Sequence, residues 1–374
     1  MKLNKLTKES NKNIDYIFKH YPYHIEHSFG NTYFMKLLYT LLDRANDTDS
    51  IKAEHKIIPT LQPKLDQGRF MDPTIYEAIS KTNYICHCFK ILIDSTFCKI
   101  EVFTLDDIDI EEYMNFFRIV LYMCCKSSNK PLAQYHFQLI LTDFKKTLPI
   151  NETIRPMHIN TGYSVHSQSK VVLFRREEIL KVFIHECFHI FCLDFSDVDG
   201  INYRDMFQPL FHVQSDYLIF ESLCEFWART INASLVSFFA KPNATYKEFE
   251  KLMTVNLNIE RTYSLCKLKE YLGKFGLTYE DILQGNTKEY HEETNGFCYY
   301  VISALLLHYY DQTMNWFIKN NETLLQFKKK NDHIYLFFHY IKIMHNQKDF
   351  LRDLDDITHY QFNNNLMSVF EISI

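Results

Sequence analysis

Glycine and proline are scarce in this chain: eight and nine among 374 residues. No repeat and no low-complexity linker interrupts it, so domain boundaries are soft and no flexible tether separates independent modules. With abundant Asn, Lys, Ile, Tyr and Phe, the scarcity has the character of an AT-rich coding bias. There is no CxxC pair, and the ten cysteines are scattered, with Cys86, Cys88, Cys124 and Cys125 too closely spaced for a small disulfide framework. They read as reduced thiols of a cytosolic compartment. Cys86-His87-Cys88 has one intervening residue, an unusual spacing for chelation, and no matching pair follows it.

Long apolar runs are missing as well. No stretch of 18 residues is free of polar interruption, and the opening MKLNKLTKESNKNIDYIF has no apolar core of signal-peptide length. A cytoplasmic protein without Sec targeting or membrane insertion is expected, and the sequons Asn151-Glu152-Thr153 and Asn243-Ala244-Thr245 carry little weight in that setting. A net charge of −5 gives no electrostatic case for nucleic acid or an anionic membrane. The basic run Lys328-Lys329-Lys330 reads as a solvated helix end.

What the chain does have is apolar mass and one chemical pattern. Its content is 47% apolar and 16% aromatic, enough for a large core divided among two or three packed subdomains. Residues 185 to 189 read His-Glu-Cys-Phe-His, an HExxH pentapeptide inside an apolar run, Ile179 to Phe195, that predicts a buried helix. On a helix His185 and His189 project from one face and reach a common Zn²⁺, with Glu186 beside its open position. The strand Val171 to Phe174 leads into this helix through Arg175-Arg176, and Glu177 and Glu178 supply the charge a helix N-terminus prefers. Ile179, Val182, Phe183, Ile190 and Phe191 would pack inward. Structural histidines bonded to carbonyls would explain the imidazoles, but not a glutamate directly after the first of them.

Hydrolytic zinc sites take three protein ligands and leave a position for water. The extended metzincin pattern fails, because Cys192 stands at its glycine position and Phe195 at its third histidine. Asp194, Asp197, Asp199 and His212 are formal candidates for the third ligand. The favoured one is Glu221, which opens a second apolar helix running through Phe239. Glu225 lies four residues on, on the same face, where it would accept the outward N–H of a ligating histidine; it is also an alternative ligand.

HECFH followed by ESLCE resembles the gluzincin arrangement of zinc metallopeptidases, HExxH on one helix and ExxxD/E on the next. The tract Ile159 to Val165, with LFRREEILKVFIHECFHIFCLDF from Leu173 to Phe195, is similar to metallopeptidases encoded by large DNA viruses. The resemblance covers about residues 155 to 240 and implies a peptidase. The residue pattern alone implies hydrolytic zinc chemistry.

The expected fold is α+β: a zincin-like core of a small mixed sheet plus the HExxH helix, with a helical N-terminal region and a helical C-terminal subdomain. Residues 1–95 read as mainly helical, with patterns over Thr32 to Arg44 and Thr74 to Ile93 around a polar stretch from Ile57 to Pro73, and would form a cap or an interaction module. Residues 96–195 form the upper subdomain, with strands at Lys99 to Leu105, Gln134 to Leu141, Ile159 to Val165 and Val171 to Phe174 and a helix at Ile110 to Cys125. Ile159 to Val165 is the candidate edge strand for an extended peptide, with Gly162 allowing close backbone approach. Residues 196–374 form the lower subdomain, helical at Tyr246 to Tyr271, Gly296 to Phe317 and Ile334 to Met344. The expected activity is peptide hydrolysis by a zinc-activated water, with Glu186 as general base and Tyr299 or Tyr300, less so His291, donating to the oxyanion. The rival readings are a catalytically inactive zinc-binding interaction protein and a zinc hydrolase acting on a bond other than the peptide.

Overall fold

The computed structural model describes residues 5–30, 32–47, 51–65, 70–105, 108–358, 362 and 364–373. The chain begins with helices α1 (Lys8–His20), α2 (Pro22–Ile25) and α3 (Tyr33–Asn46), then strand β1 (Lys52–Leu61), helix α4 (Pro73–Ser80), and strands β2 (Tyr84–Ile93) and β3 (Thr96–Thr104). Helix α5 (Ile110–Ser127) leads to β4 (Gln134–Ile140), a short turn of helix α6 (Pro156–Ile159), β5 (Gly162–Val165), β6 (Lys170–Leu173) and helix α7 (Ile179–Ile190). Among the described residues, the helices and strands that follow are all helices: α8 (Tyr203–Phe211), α9 (Ile219–Phe239), α10 (Tyr246–Gly273), α11 (Tyr279–Gln284), a π-helical turn at Phe297–Ile302, α12 (Ser303–His308), α13 (Tyr310–Asn320), α14 (Asn331–Met344) and α15 (Lys348–Asp356).

The six strands form one open mixed sheet in the order β1-β2-β3-β4-β6-β5. The β1/β2, β2/β3 and β5/β6 pairs are antiparallel, and the β3/β4 and β4/β6 pairs parallel. Parallel pairing requires crossovers, and α5 makes the one from β3 to β4. Asp109 caps it, accepting the Glu112 backbone N–H at 3.3 Å. The α+β expectation holds at this level.

The reading of residues 1–95 as mainly helical holds only in part, because α1–α4 share the stretch with strands. These residues contribute two ten-residue strands, and the expected helix Thr74 to Ile93 is α4 followed by a turn and β2. Strand β2 is apolar on both sides because α3 and α5 cover one face and α4 part of the other, so its alternation is weak. Strand β1 is exposed along nearly its whole length and has no alternation at all. Other boundaries shift: the strand from Ile159 starts at Gly162, the HExxH helix stops at Ile190 instead of Phe195, and Gly296 to Phe317 divides into the π turn, α12 and α13. The Lys328–Lys330 run precedes the first turn of α14, with Lys329 on Asp197 at 2.7 Å.

One continuous apolar cluster takes residues from all three stretches of the chain, from Ile17 to Ile372. Its polar exceptions surround an extended segment, residues 364–373, threaded behind α7, α9 and α10. Glu178 accepts the Met367 and Ser368 N–H groups at 2.8 Å each, Glu260 accepts that of Val369 at 3.0 Å, and Tyr263 donates to the Leu366 carbonyl at 2.9 Å. The buried N–H groups of Met367, Ser368 and Val369 thereby find partners. The segment also pairs with the start of the chain through Leu6 and Ile372.

Candidate metal centre

Helix α7 enters from β6, with Glu178 at its N-cap in a left-handed conformation (φ 54°). Glu178 was expected to favour the helix dipole. Its carboxylate instead turns to Lys146 and to the 364–373 segment. The helix ends in a Schellman turn: Leu193 N–H bonds the Phe188 carbonyl at 2.9 Å, Cys192 N–H bonds the His189 carbonyl at 2.9 Å, and Cys192 adopts φ 54°. That reversal brings Asp194 back under the helix.

His185 and His189 meet Glu221 from the first turn of α9. The three facing atoms form a near-equilateral triangle: His185 Nε2 to Glu221 Oε2 3.1 Å, His189 Nε2 to His185 Nε2 3.2 Å, and His189 Nε2 to Glu221 Oε2 3.3 Å. Tetrahedral coordination with bonds of about 2.0–2.1 Å places ligand atoms about 3.3–3.4 Å apart, close to these separations. The outward nitrogens face carboxylates. His189 Nδ1 lies 2.6 Å from Asp194 Oδ2, and His185 Nδ1 lies 3.3 Å from Glu225 Oε2. An ionised carboxylate has no proton to donate, so in the neutral imidazoles the hydrogen belongs on each Nδ1, where His189 bonds Asp194 and His185 meets Glu225 as a charge contact, and each Nε2 lone pair is left facing the triangle. Three acceptors that close repel one another unless a cation lies between them or protons are taken up.

The electrostatics agree. Burial opposes charge on both imidazoles, but Glu221 and Glu225 outweigh it at His185, and Cys224, Glu221 and Asp194 outweigh it at His189, raising both. Burial likewise opposes ionisation of Glu221, yet His189 and His185 hold it far below the usual carboxylate range. Glu225 is lowered against its burial by Lys181 and Arg229, whose Nζ and Nε lie 3.0 and 2.9 Å from it. The donor set and its acidic surroundings fit a divalent cation with borderline-soft preferences, such as Zn²⁺. His189, Asp194 and Cys224 also converge. There the 2.6 Å contact of Nδ1 with Oδ2 is a hydrogen bond, too short for two ligands of one ion.

Glu186 is buried beside the triangle at the floor of a cleft of about 730 Å³, also lined by Ser164, His166, Asn295 and Tyr299. Burial raises its carboxyl above the ordinary value, against the opposing pull of His189, His185 and a hydrogen bond from Ser164. The Tyr299 hydroxyl donates to Glu221 Oε2 at 3.0 Å, and Asn295 Nδ2 approaches Oε1 at 3.3 Å. Tyr299 stands in the π turn, an element that recurs at functional sites.

The structure therefore brings together His185, Glu186, His189, Glu221, Glu225 and Tyr299. Tyr300 is the exception: it faces away, its hydroxyl bonding Asn365 at 3.0 Å, because adjacent helical residues point about 100° apart. His291 is exposed, with its carbonyl bonding Ile154 N–H; His212 caps α8; Asp199 is exposed. Asp194 is present as a partner of His189 and not as a third ligand. Asn295 and His166 were missed, and neither has a spacing signal in the sequence. No described helix is long and apolar enough to cross a membrane. Neither a family model, nor a curated protein, nor a solved structure matches this chain.

Proposed function

We propose that this chain is a zinc-dependent metallopeptidase of gluzincin type, built on a zincin-like core, with Zn²⁺ held by His185 Nε2, His189 Nε2 and Glu221 Oε2. The observation that carries the reading is the triangle of three acceptor atoms at 3.1 to 3.3 Å, with both histidines oriented from behind by carboxylates. Bound there, Zn²⁺ supplies a Lewis acid that lowers the pKa of a water towards about 7 and polarises a carbonyl oxygen.

The chain's residues supply the rest. Glu186 takes the proton of the attacking water and passes it to the leaving amine; a carboxyl raised by burial is better matched to that exchange near neutral pH. The Tyr299 hydroxyl, which donates to Glu221 Oε2 at 3.0 Å, borders the cleft and would turn from that carboxylate to a carbonyl oxygen gaining negative charge. Gly162, Tyr163 and Ser164 line the cleft on β5, the last strand of the sheet, whose outer edge would give main-chain bonds to an extended peptide. A Cβ at Gly162 would stand 2.8 Å from the Val172 carbonyl, so the close pairing of β5 with β6 requires glycine.

Glu186→Gln is the direct test. The variant should bind one zinc per chain as the wild type does, while cleavage of a mixed peptide library falls by about 10²–10⁴-fold. Cleavage at the wild-type rate would sink the proposal.

A further inference from the structure

The buried cations behind the site do more than neutralise an acid. Glu225, which faces His185 Nδ1, receives Lys181 Nζ from α7 and Arg229 Nε from its own helix. One cation would balance one carboxylate, and Glu178, the neighbouring buried acid, has Lys146 of its own. Arg229 is fully buried and its Nε also lies 3.8 Å from Glu260 Oε1, but its remaining contact is of a different kind. Its Nη2 donates at 3.3 Å to the main-chain carbonyl of Tyr299, 70 residues away in the π turn. Ser303 donates to the same carbonyl. A single planar guanidinium thus bridges the acid that orients one ligand and the backbone that carries the cleft hydroxyl.

We propose that Arg229 is a positioning residue that sets His185 and Tyr299 in register around the ligand triangle, an inference that rests on the metallopeptidase reading above. Through Glu225 it fixes the imidazole of His185. Through the Tyr299 carbonyl it fixes the turn whose side chain reaches Glu221 Oε2 at 3.0 Å. A lysine at 229 would keep the charge beside Glu225 but lacks the fork to hold both partners. Lys181→Met removes a charge from Glu225 and leaves Tyr299 untouched. Charge balance and positioning therefore predict opposite orders of damage.

The test compares zinc affinity of the full chain, by competition with a chromophoric chelator, in the wild type, Arg229→Lys and Lys181→Met. Positioning predicts about a tenfold weaker affinity in Arg229→Lys, within the range for lost outer contacts, and a smaller loss in Lys181→Met. In peptide cleavage, Arg229→Lys should lower kcat with little change in KM. Wild-type affinity in Arg229→Lys, or the reverse order of the two variants, overturns the inference while leaving the metallopeptidase reading standing. The expected order of affinities without any peptide cleavage overturns that reading and leaves the positioning role. A wild-type chain that binds no zinc overturns both. Should Arg229→Lys lack a cooperative melt, Ser303→Ala tests the same carbonyl: a few-fold weaker zinc binding and a reduced kcat support the role, and wild-type values for both refute it.

Discussion

At the residue scale, two adjacent tyrosines separate chemistry from architecture. Tyr299 opens on the cleft and touches Glu221, whereas Tyr300 stacks on Tyr271 and bonds Asn365 behind it. Tyr299→Phe should lower kcat by about 10²-fold, the scale of one lost oxyanion donor, with the fold intact. Tyr300→Phe should leave kcat unchanged and lower stability by about 1 kcal/mol, the worth of one buried hydrogen bond. Steady-state kinetics and thermal melts on both variants check the assignment, and equal effects on kcat would contradict it. Asp194 acts on metal affinity instead. Asp194→Asn removes the charge that keeps the proton on His189 Nδ1, so zinc binding should weaken by about 10- to 100-fold in a chelator competition.

At the element scale, the site depends on how α7 ends. Cys192 sits in the left-handed region, where a side chain costs about 1–2 kcal/mol, and the turn it makes returns Asp194 to His189. Cys192→Gly should therefore raise stability by about 1 kcal/mol in denaturant melts and leave zinc affinity as it is, because the turn is kept. A loss of stability would mean that the thiol's packing outweighs the strain. This turn also marks where sequence reasoning stops. HExxH and the i, i+4 acids mark α7 and α9 as the helices of the candidate site because helical geometry alone brings those residues onto one face. Asp194 was weighed as a ligand because sequence distance does not reveal that a non-glycine residue closes a Schellman turn. Strands β3, β4 and β6 were legible as β-rich runs between turns. Strand β2 merged with α4 because burial on both faces erased its period, and β1 vanished because an exposed edge strand has none. Glu178 and Arg229 were illegible as site supports for another reason: the contacts that give them that role, Glu178 with Met367 and Ser368 and Arg229 with the Tyr299 carbonyl, span 70 residues or more.

At the scale of the whole molecule, residues 364–373 join the beginning of the chain to the back of the candidate metal centre, and α10 binds this segment through Lys267, on the Asn364 carbonyl, and through Glu260. Its carboxylate accepts from Val369 N–H and Ser368 Oγ at 3.0 Å each and lies 3.8 Å from Arg229. Burial raises it to about 7, against the opposing influence of Arg229 and those hydrogen bonds, with Glu225 adding to the rise. A carboxyl whose folded value lies above its unfolded value of 4.5 binds its proton more tightly when folded. Its contribution to stability is full below about pH 4.5 and is lost as the pH rises through 7, by about 3 kcal/mol in all. Glutamine at 260 retains an acceptor for both bonds and does not titrate. Glu260→Gln and the wild type should melt at similar temperatures near pH 5, and the variant should melt several degrees higher at pH 8. The proposed ligands His185, His189 and Glu221 are common to both proteins, so their titration cancels in the difference. A gap that is constant with pH would mean that Glu260 stays ionised in the fold throughout, with Arg229 as a full partner. In that case removing the acid should also disturb Arg229 and weaken zinc binding, whereas an acid that is neutral in the fold leaves the Arg229 bridge from Glu225 to Tyr299 undisturbed.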